Sequence, residues 1–203
     1  MEKINLEYLS LIKYALENID KIKNVNDITS KFKDSIKDIT KEAHDRVDSV
    51  SQFALFHKYI GQENYFFKFQ EDDVLFGEFS LDFLPINGNE HAVKSLLQDN
   101  YLGEKRLANF RIQLFLRDQS SYSIMEEKNK EVTDYINGLY GKPNSSPEVI
   151  EFAHSLEGQF NKKINSWHTK RDETDYFISY YYVDNVSEIG HYLCFSISEY
   201  LTE

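Results

Sequence analysis

The sequence predicts an α+β fold: an antiparallel or mixed sheet with helices packed on one face and a helical pair at the N-terminus. Three observations carry this expectation. Apolar residues in the first fifty positions recur every three or four residues, which is the helical period. From Asn64 onward, several segments alternate apolar and polar residues, the pattern of strands with one buried face. The strand patterns come in consecutive groups rather than singly between helices, which favours an antiparallel arrangement over a doubly wound parallel sheet.

The first helix is read from Leu9, Ile12, Leu16, Ile19 and Ile22. Residues 24–27 are polar and suited to break and recap the chain. A second stripe through Ile28, Phe32, Ile36, Ile39, Ala43 and Val47 predicts a second helix. Lys31, Lys33, Asp34, Lys37, Asp38, Lys41 and Glu42 lie between those positions as its solvated side. Residues 1–50 are therefore read as a helical pair packed on an α+β domain of residues 51–203, together one globular unit. Residues 51–62 fit either a helical extension or a strand.

A hairpin follows. Tyr65, Phe67 and Phe69 alternate before the acidic turn Glu71-Asp72-Asp73. After the turn, Leu75, Phe79, Leu81 and Phe83 point one way, and Glu78, Ser80 and Asp82 the other. Residues 85–89 read as a turn, 90–97 as a short helix and 105–117 as a strand with Phe110, Ile112, Leu114 and Leu116 inward. Residues 123–139 read as a helix with Ile124, Val132, Ile136 and Leu139 on its apolar side. Gly141 suits the left-handed position just past its end, and Pro143 prevents continuation. Ser146 as N-cap and Pro147 at the first helical position predict another helix to about Phe160. A meander of strands at 164–169, 176–183 and 192–198 closes the chain. Each half runs helices first and strands second, without a repeat at residue level.

Composition limits function. The formal charge is −11, from 23 Lys and Arg against 34 Asp and Glu. Such a chain repels nucleic acid and anionic membranes unless a local basic patch overrides the field. Nucleic acid is accordingly disfavoured as a partner. Cys194 is the one cysteine, so no intramolecular disulfide can form, which fits a reducing cytoplasm. The N-terminal stretch lacks the apolar run of a signal peptide, and no segment approaches the about 20 apolar residues of a membrane span. A cytoplasmic protein with no membrane contact is expected. The frequent Lys, Asn and Ile suggest a bacterial or phage origin.

No arrangement points to a catalytic, metal or cofactor site. None of the six histidines has another within four residues. His44 and Asp48 have helical spacing but sit in a charged stretch, while His168 and His191 are read as strand residues. Cys194 lies in an apolar strand, where a cysteine is a small hydrophobe rather than a thiolate. Glu78 and Asp82 share a strand face, but the only nearby Glu-x-Lys, 126–128, falls on a helix. Gly138 to Pro143 ends a helix instead of opening one, so it is no phosphate loop. Lys105, Arg106, Arg111 and Arg117 make one locally basic strand, with Phe115 beside them.

The tyrosine run 180–182 is the most suggestive feature. In a strand, Tyr180 and Tyr182 share one face and Tyr181 takes the other. The flanking turns supply Asp172, Glu173 and Asp175 at one end, and Asp184 and Glu188 at the other. Tyrosines rimmed by carboxylates suit a basic protein surface. The expectation is a non-catalytic protein that occludes a basic partner, with Tyr180, Tyr182 and these five acids as the contact. In general character the chain is similar to toxin-neutralising immunity proteins and phage-encoded inhibitors, though it matches no family motif. Two alternatives remain at this stage: an enzyme or ligand binder with a pocket between sheet and helices, holding Trp167 and His168, and an oligomerising subunit using the N-terminal helices.

Overall fold

Eight strands form a single antiparallel sheet in the order β1-β2-β3-β4-β8-β7-β6-β5. The computed structural model describes residues 6–44, 63–85, 105–116, 122–150, 160–171, 173–184 and 192–199. In chain order the elements are α1 (Tyr8–Asn18), α2 (Val25–Phe32), β1 (Ile36–Asp38), β2 (Glu63–Gln70), β3 (Leu75–Pro85), β4 (Lys105–Leu116), α3 (Tyr122–Tyr140), β5 (Asn144–Ile150), β6 (Phe160–Arg171), β7 (Thr174–Asp184) and β8 (Tyr192–Glu199). The fold is α+β, with helices on one face of the sheet. It consists of two four-stranded meanders, β1–β4 and β5–β8, joined edge to edge where β4 pairs β8 from Asn109↔Ser198 to Phe115↔Tyr192.

Strict alternation decides which side is buried. Phe110, Ile112 and Leu114 of β4 and Leu193, Phe195 and Ile197 of β8 are buried in the same core as Phe67, Phe79, Leu81 and Phe83 of the first meander and Trp167, Tyr176, Ile178 and Tyr180 of the second. Over this floor, α1 lies across β4 and β8, while α3 lies across β6 and β8. Tyr8, Leu11, Ile12 and Ala15 of α1 and Met125, Val132 and Ile136 of α3 are fully buried there. The apolar stripe of α1 is thus used on the chain's own sheet.

The recap expected near residue 24 is present. The Asn24 side chain accepts from the Asn26 N–H, and Asp27 Oδ2 accepts from the Asn24 N–H, a capping box. α1 starts differently: Glu7 gives no side-chain cap. Instead Glu71, on the β2–β3 turn, accepts from the Tyr8 N–H at 3.0 Å. At its end α3 stops as expected, with Gly141 at φ +79° and its N–H donating to the Asn137 carbonyl.

Two expected helices are corrected. The stripe from Ile28 to Val47 does not make one helix. α2 ends at Phe32, the chain turns with the Ser35 N–H donating to the Phe32 carbonyl, and Ile36–Asp38 becomes an edge strand on β2. Ile36 lies opposite Phe69, so sheet pairing and core contact prevail over the helical period. Helix resumes at residues 40–44. The Ser146-Pro147 helix start is likewise absent: Asn144–Ile150 pairs with β6 as the outer strand, with Pro147 opposite Lys163. Proline fits an edge strand, where its missing N–H need not join a ladder. The expectations for residues 51–62, 86–89, 90–97, 151–159, Asp48 and His191 lie outside the described residues.

Candidate functional site

The tyrosine run divides across the sheet as its alternation requires. Tyr180 is 0% exposed, in the core beneath the helices. Its hydroxyl has no hydrogen-bond partner among the described residues, and burial drives its pKa well up. Tyr180 therefore has no surface to offer a partner, which corrects its expected role as an anchor. Apolar floor residues of β8 and the overlying helices claim its ring instead. Tyr182 is half-buried against the same core. Tyr181 points to the opposite face, packed on Cys194.

The acids fall where the turns put them. Glu173 and Asp175 are exposed at the β6–β7 turn, Asp175 opposite Lys170. Asp184 stands at the other end of β7, nine residues on, or about 30 Å at strand rise. Asp172 and Glu188 lie outside the described residues. The structure thus brings Glu173 and Asp175 together and separates them from Asp184.

Trp167 and His168 do not share a pocket, because adjacent strand residues face opposite ways. Trp167 is buried on the helix side, its indole N–H donating to the Gly141 carbonyl at 3.0 Å. His168 is exposed on the other side, edge-on to Phe177. Cys194 is fully buried, as its strand position suggested.

Many charged groups are committed to the framework. Glu71 Oε1 pairs with Lys128 of α3 at 2.5 Å, while Oε2 caps α1. Partial burial opposes the Lys128 charge, and the hydrogen bond and charge of Glu71 outweigh it, so the ammonium pKa rises. Arg106 makes a two-pronged pair with Glu199, at 2.6 and 2.7 Å. Lys105 pairs with Glu63, whose carboxyl that hydrogen bond holds below its ordinary range. Asp82 bridges the amides of Asn64 and Asn109, and Lys68 pairs with Glu78 and Glu42. Glu71 is the site residue that sequence reading missed. It was legible only as part of an acidic turn, and nothing in the local pattern distinguishes it from Asp72 and Asp73.

On the sheet face away from the helices, rings form a row. Phe76 of β3 stacks on Phe115 of β4 at 5.5 Å between centroids, Phe115 reaches Tyr192 of β8 at 5.8 Å, and Tyr192 meets Tyr181 of β7 at 6.3 Å. Arg111 stands two residues from Gln113 on the same face and donates to the Tyr181 hydroxyl at 3.1 Å. Ser80 and Ser196 lie directly opposite Arg111 on either side, and Ser196 Oγ is 2.9 Å from Ser179 Oγ.

Among the described residues, no group of three or more His, Cys, Asp or Glu is placed to hold a metal, and no helix is long and apolar enough to cross a membrane. Comparison with protein-family models, with curated proteins and with solved structures found no match.

Proposed function

We propose that this chain is a non-catalytic cytoplasmic protein that binds and occludes a basic partner protein, in the manner of toxin-neutralising immunity proteins and phage-encoded inhibitors. The observation that carries the reading is the chain's formal charge of −11, together with the exposure of Glu173 and Asp175 at the β6–β7 turn. A field of that sign speeds encounter with a cationic surface and repels anionic ones. The sole cysteine fits a reducing compartment. The framework roles of Glu71, Glu199, Glu63 and Asp82 further support binding over catalysis, since a general acid or base must be free to exchange its proton with substrate.

Contact is assigned to the β6–β7 turn, where Glu173 and Asp175 are exposed. The test is capture from a lysate of the protein's own cells at low and at high salt, read by mass spectrometry. One basic protein recovered at low salt and depleted at high salt is the expected result. Recovery that ignores salt, or of acidic proteins only, contradicts the reading.

A further inference from the structure

Arg111 differs from the other described arginines. Arg106 is paired with Glu199 and Arg171 with Asp20, but no carboxylate among the described residues pairs with Arg111, whose side-chain partners on this face are the Tyr181 hydroxyl and the Cys194 sulfur. It is exposed in the middle of the sheet. These two contacts hold the planar guanidinium in place, and a fork of five N–H donors has more than they use. Around it stand the Ser80 and Ser196 hydroxyls and the Gln113 amide. Ser80 and Gln113 have no side-chain hydrogen-bond partner among the described residues. This set of donors suits an oxyanion, and a guanidinium fork matches phosphate geometry. Starting at the Tyr181 hydroxyl, the rings of Tyr181, Tyr192, Phe115 and Phe76 continue in an unbroken row across four strands. Tyr181 is itself buried, but the half-buried rings of Tyr192, Phe115 and Phe76 offer stacking to any flat heteroaromatic group, and this does not depend on which base it is.

We infer that this face binds a nucleotide, its phosphate on Arg111 with Ser80, Ser196 and Gln113, and its base stacked on Tyr192 and Phe115. The site goes beyond the protein-binding role and does not depend on it. The chain's overall charge opposes any anion, but beyond a Debye length of about 8 Å at physiological salt that field is largely screened, and the contact is made by the local cation. The juxtaposition of one carboxylate-free arginine with a four-ring row favours an aromatic phosphate over a bare anion, which would leave the rings unused.

The experiment is calorimetric titration of the full chain with the four ribonucleoside monophosphates, the matching nucleosides and inorganic phosphate. One monophosphate is expected to bind per chain, with its nucleoside and inorganic phosphate each about tenfold or more weaker. Arg111→Gln is expected to reduce the nucleotide to the affinity of its nucleoside, and Phe115→Leu to weaken nucleotide and nucleoside together. Amide-shift mapping on the unsubstituted chain needs no variant to fold, and the largest changes are expected on β3, β4 and β8. The inference is overturned by the absence of heat and shift changes at millimolar nucleotide, by shifts centred elsewhere, by affinity unchanged in Arg111→Gln, or by inorganic phosphate binding as tightly as the nucleotide.

Discussion

Glu71 closes the N-terminus of α1 from 63 residues away, its Oε2 accepting the Tyr8 N–H at 3.0 Å while Oε1 holds Lys128 of α3. One carboxylate on a β-turn therefore ties the first helix, the sheet and the third helix together. A negative charge at a helix N-terminus also opposes the positive end of the helix dipole favourably.

Removing that carboxylate leaves Lys128 without its main partner and the Tyr8 N–H uncapped. Glu71→Ala is expected to lower stability by about 2 kcal/mol, since a charge-assisted hydrogen bond from the half-buried Lys128 and the cap on the Tyr8 N–H are lost together. Denaturant unfolding measures it. Combined with Lys128→Met, the loss is expected to be clearly less than the sum of the single effects, because both remove the same contact. The raised Lys128 pKa sets the sign of the pH dependence. The ammonium's contribution is complete below the unfolded lysine value of about 10.4 and is lost as pH rises through the higher folded value.

Burial raises the pKa of Tyr8, Tyr14, Tyr135, Tyr176, Tyr180, Tyr181 and Tyr192, and pushes Tyr65 up to about 12 with help from the Glu63 hydrogen bond. Folded values above the unfolded one mean stability that is intact below about pH 10 and lost as pH climbs past it. Absorbance titration is expected to show these eight tyrosines ionising only together with a loss of near-ultraviolet circular dichroism. Independent ionisation of all tyrosines in the folded protein would contradict this.

Tyr180 carries a buried hydroxyl that no described residue bonds. Tyr180→Phe removes the unsatisfied group and keeps the ring, so stability is expected to rise by about 1 kcal/mol. Partner capture should be unchanged, since the residue is enclosed. A fall in melting temperature would show that the hydroxyl is satisfied in solution.

Gly77 on β3 faces Phe69 across the strand pair. An added Cβ there would lie 2.5 Å from the Gln113 carbonyl oxygen and closer still to the Phe69 ring. A carbonyl in a ladder cannot step aside, so Gly77→Ala is expected to cost about 2 kcal/mol or more, as overpacking does. A thermal melt reads it.

These residues show what the sequence makes legible. The alternation from Leu75 to Phe83, in β4 and in the last three strands fixed the inward faces, because period two survives any topology. The Asn24–Asp27 capping box and the Gly141 stop were readable because they act within a few residues. The Ile28–Val47 stripe and Ser146-Pro147 misled for one reason. Ile36–Asp38 and Asn144–Ile150 are edge strands whose conformation depends on distant partners, Phe69 for Ile36, 33 residues away, and Ser166 for Asn144, 22 residues away, and local pattern does not record such pairing. The Tyr180–Tyr182 split was legible, but not which side the helices cover. Arg111 was legible as a cation on the polar side of its strand, but that no described carboxylate pairs with it, while Glu199 and Asp20 take Arg106 and Arg171, emerges only from the structure.

The central claim is that exposed carboxylates at the β6–β7 turn recruit a basic protein. The direct measurement immobilises the unsubstituted chain and a Glu173→Lys, Asp175→Lys variant side by side, passes the same lysate over both at low and high salt, and quantifies what is retained. The account predicts a basic protein on the unsubstituted chain at low salt, its depletion at high salt, and clearly reduced retention on an equally stable variant. Equal retention on both, or no basic protein on either, would contradict it.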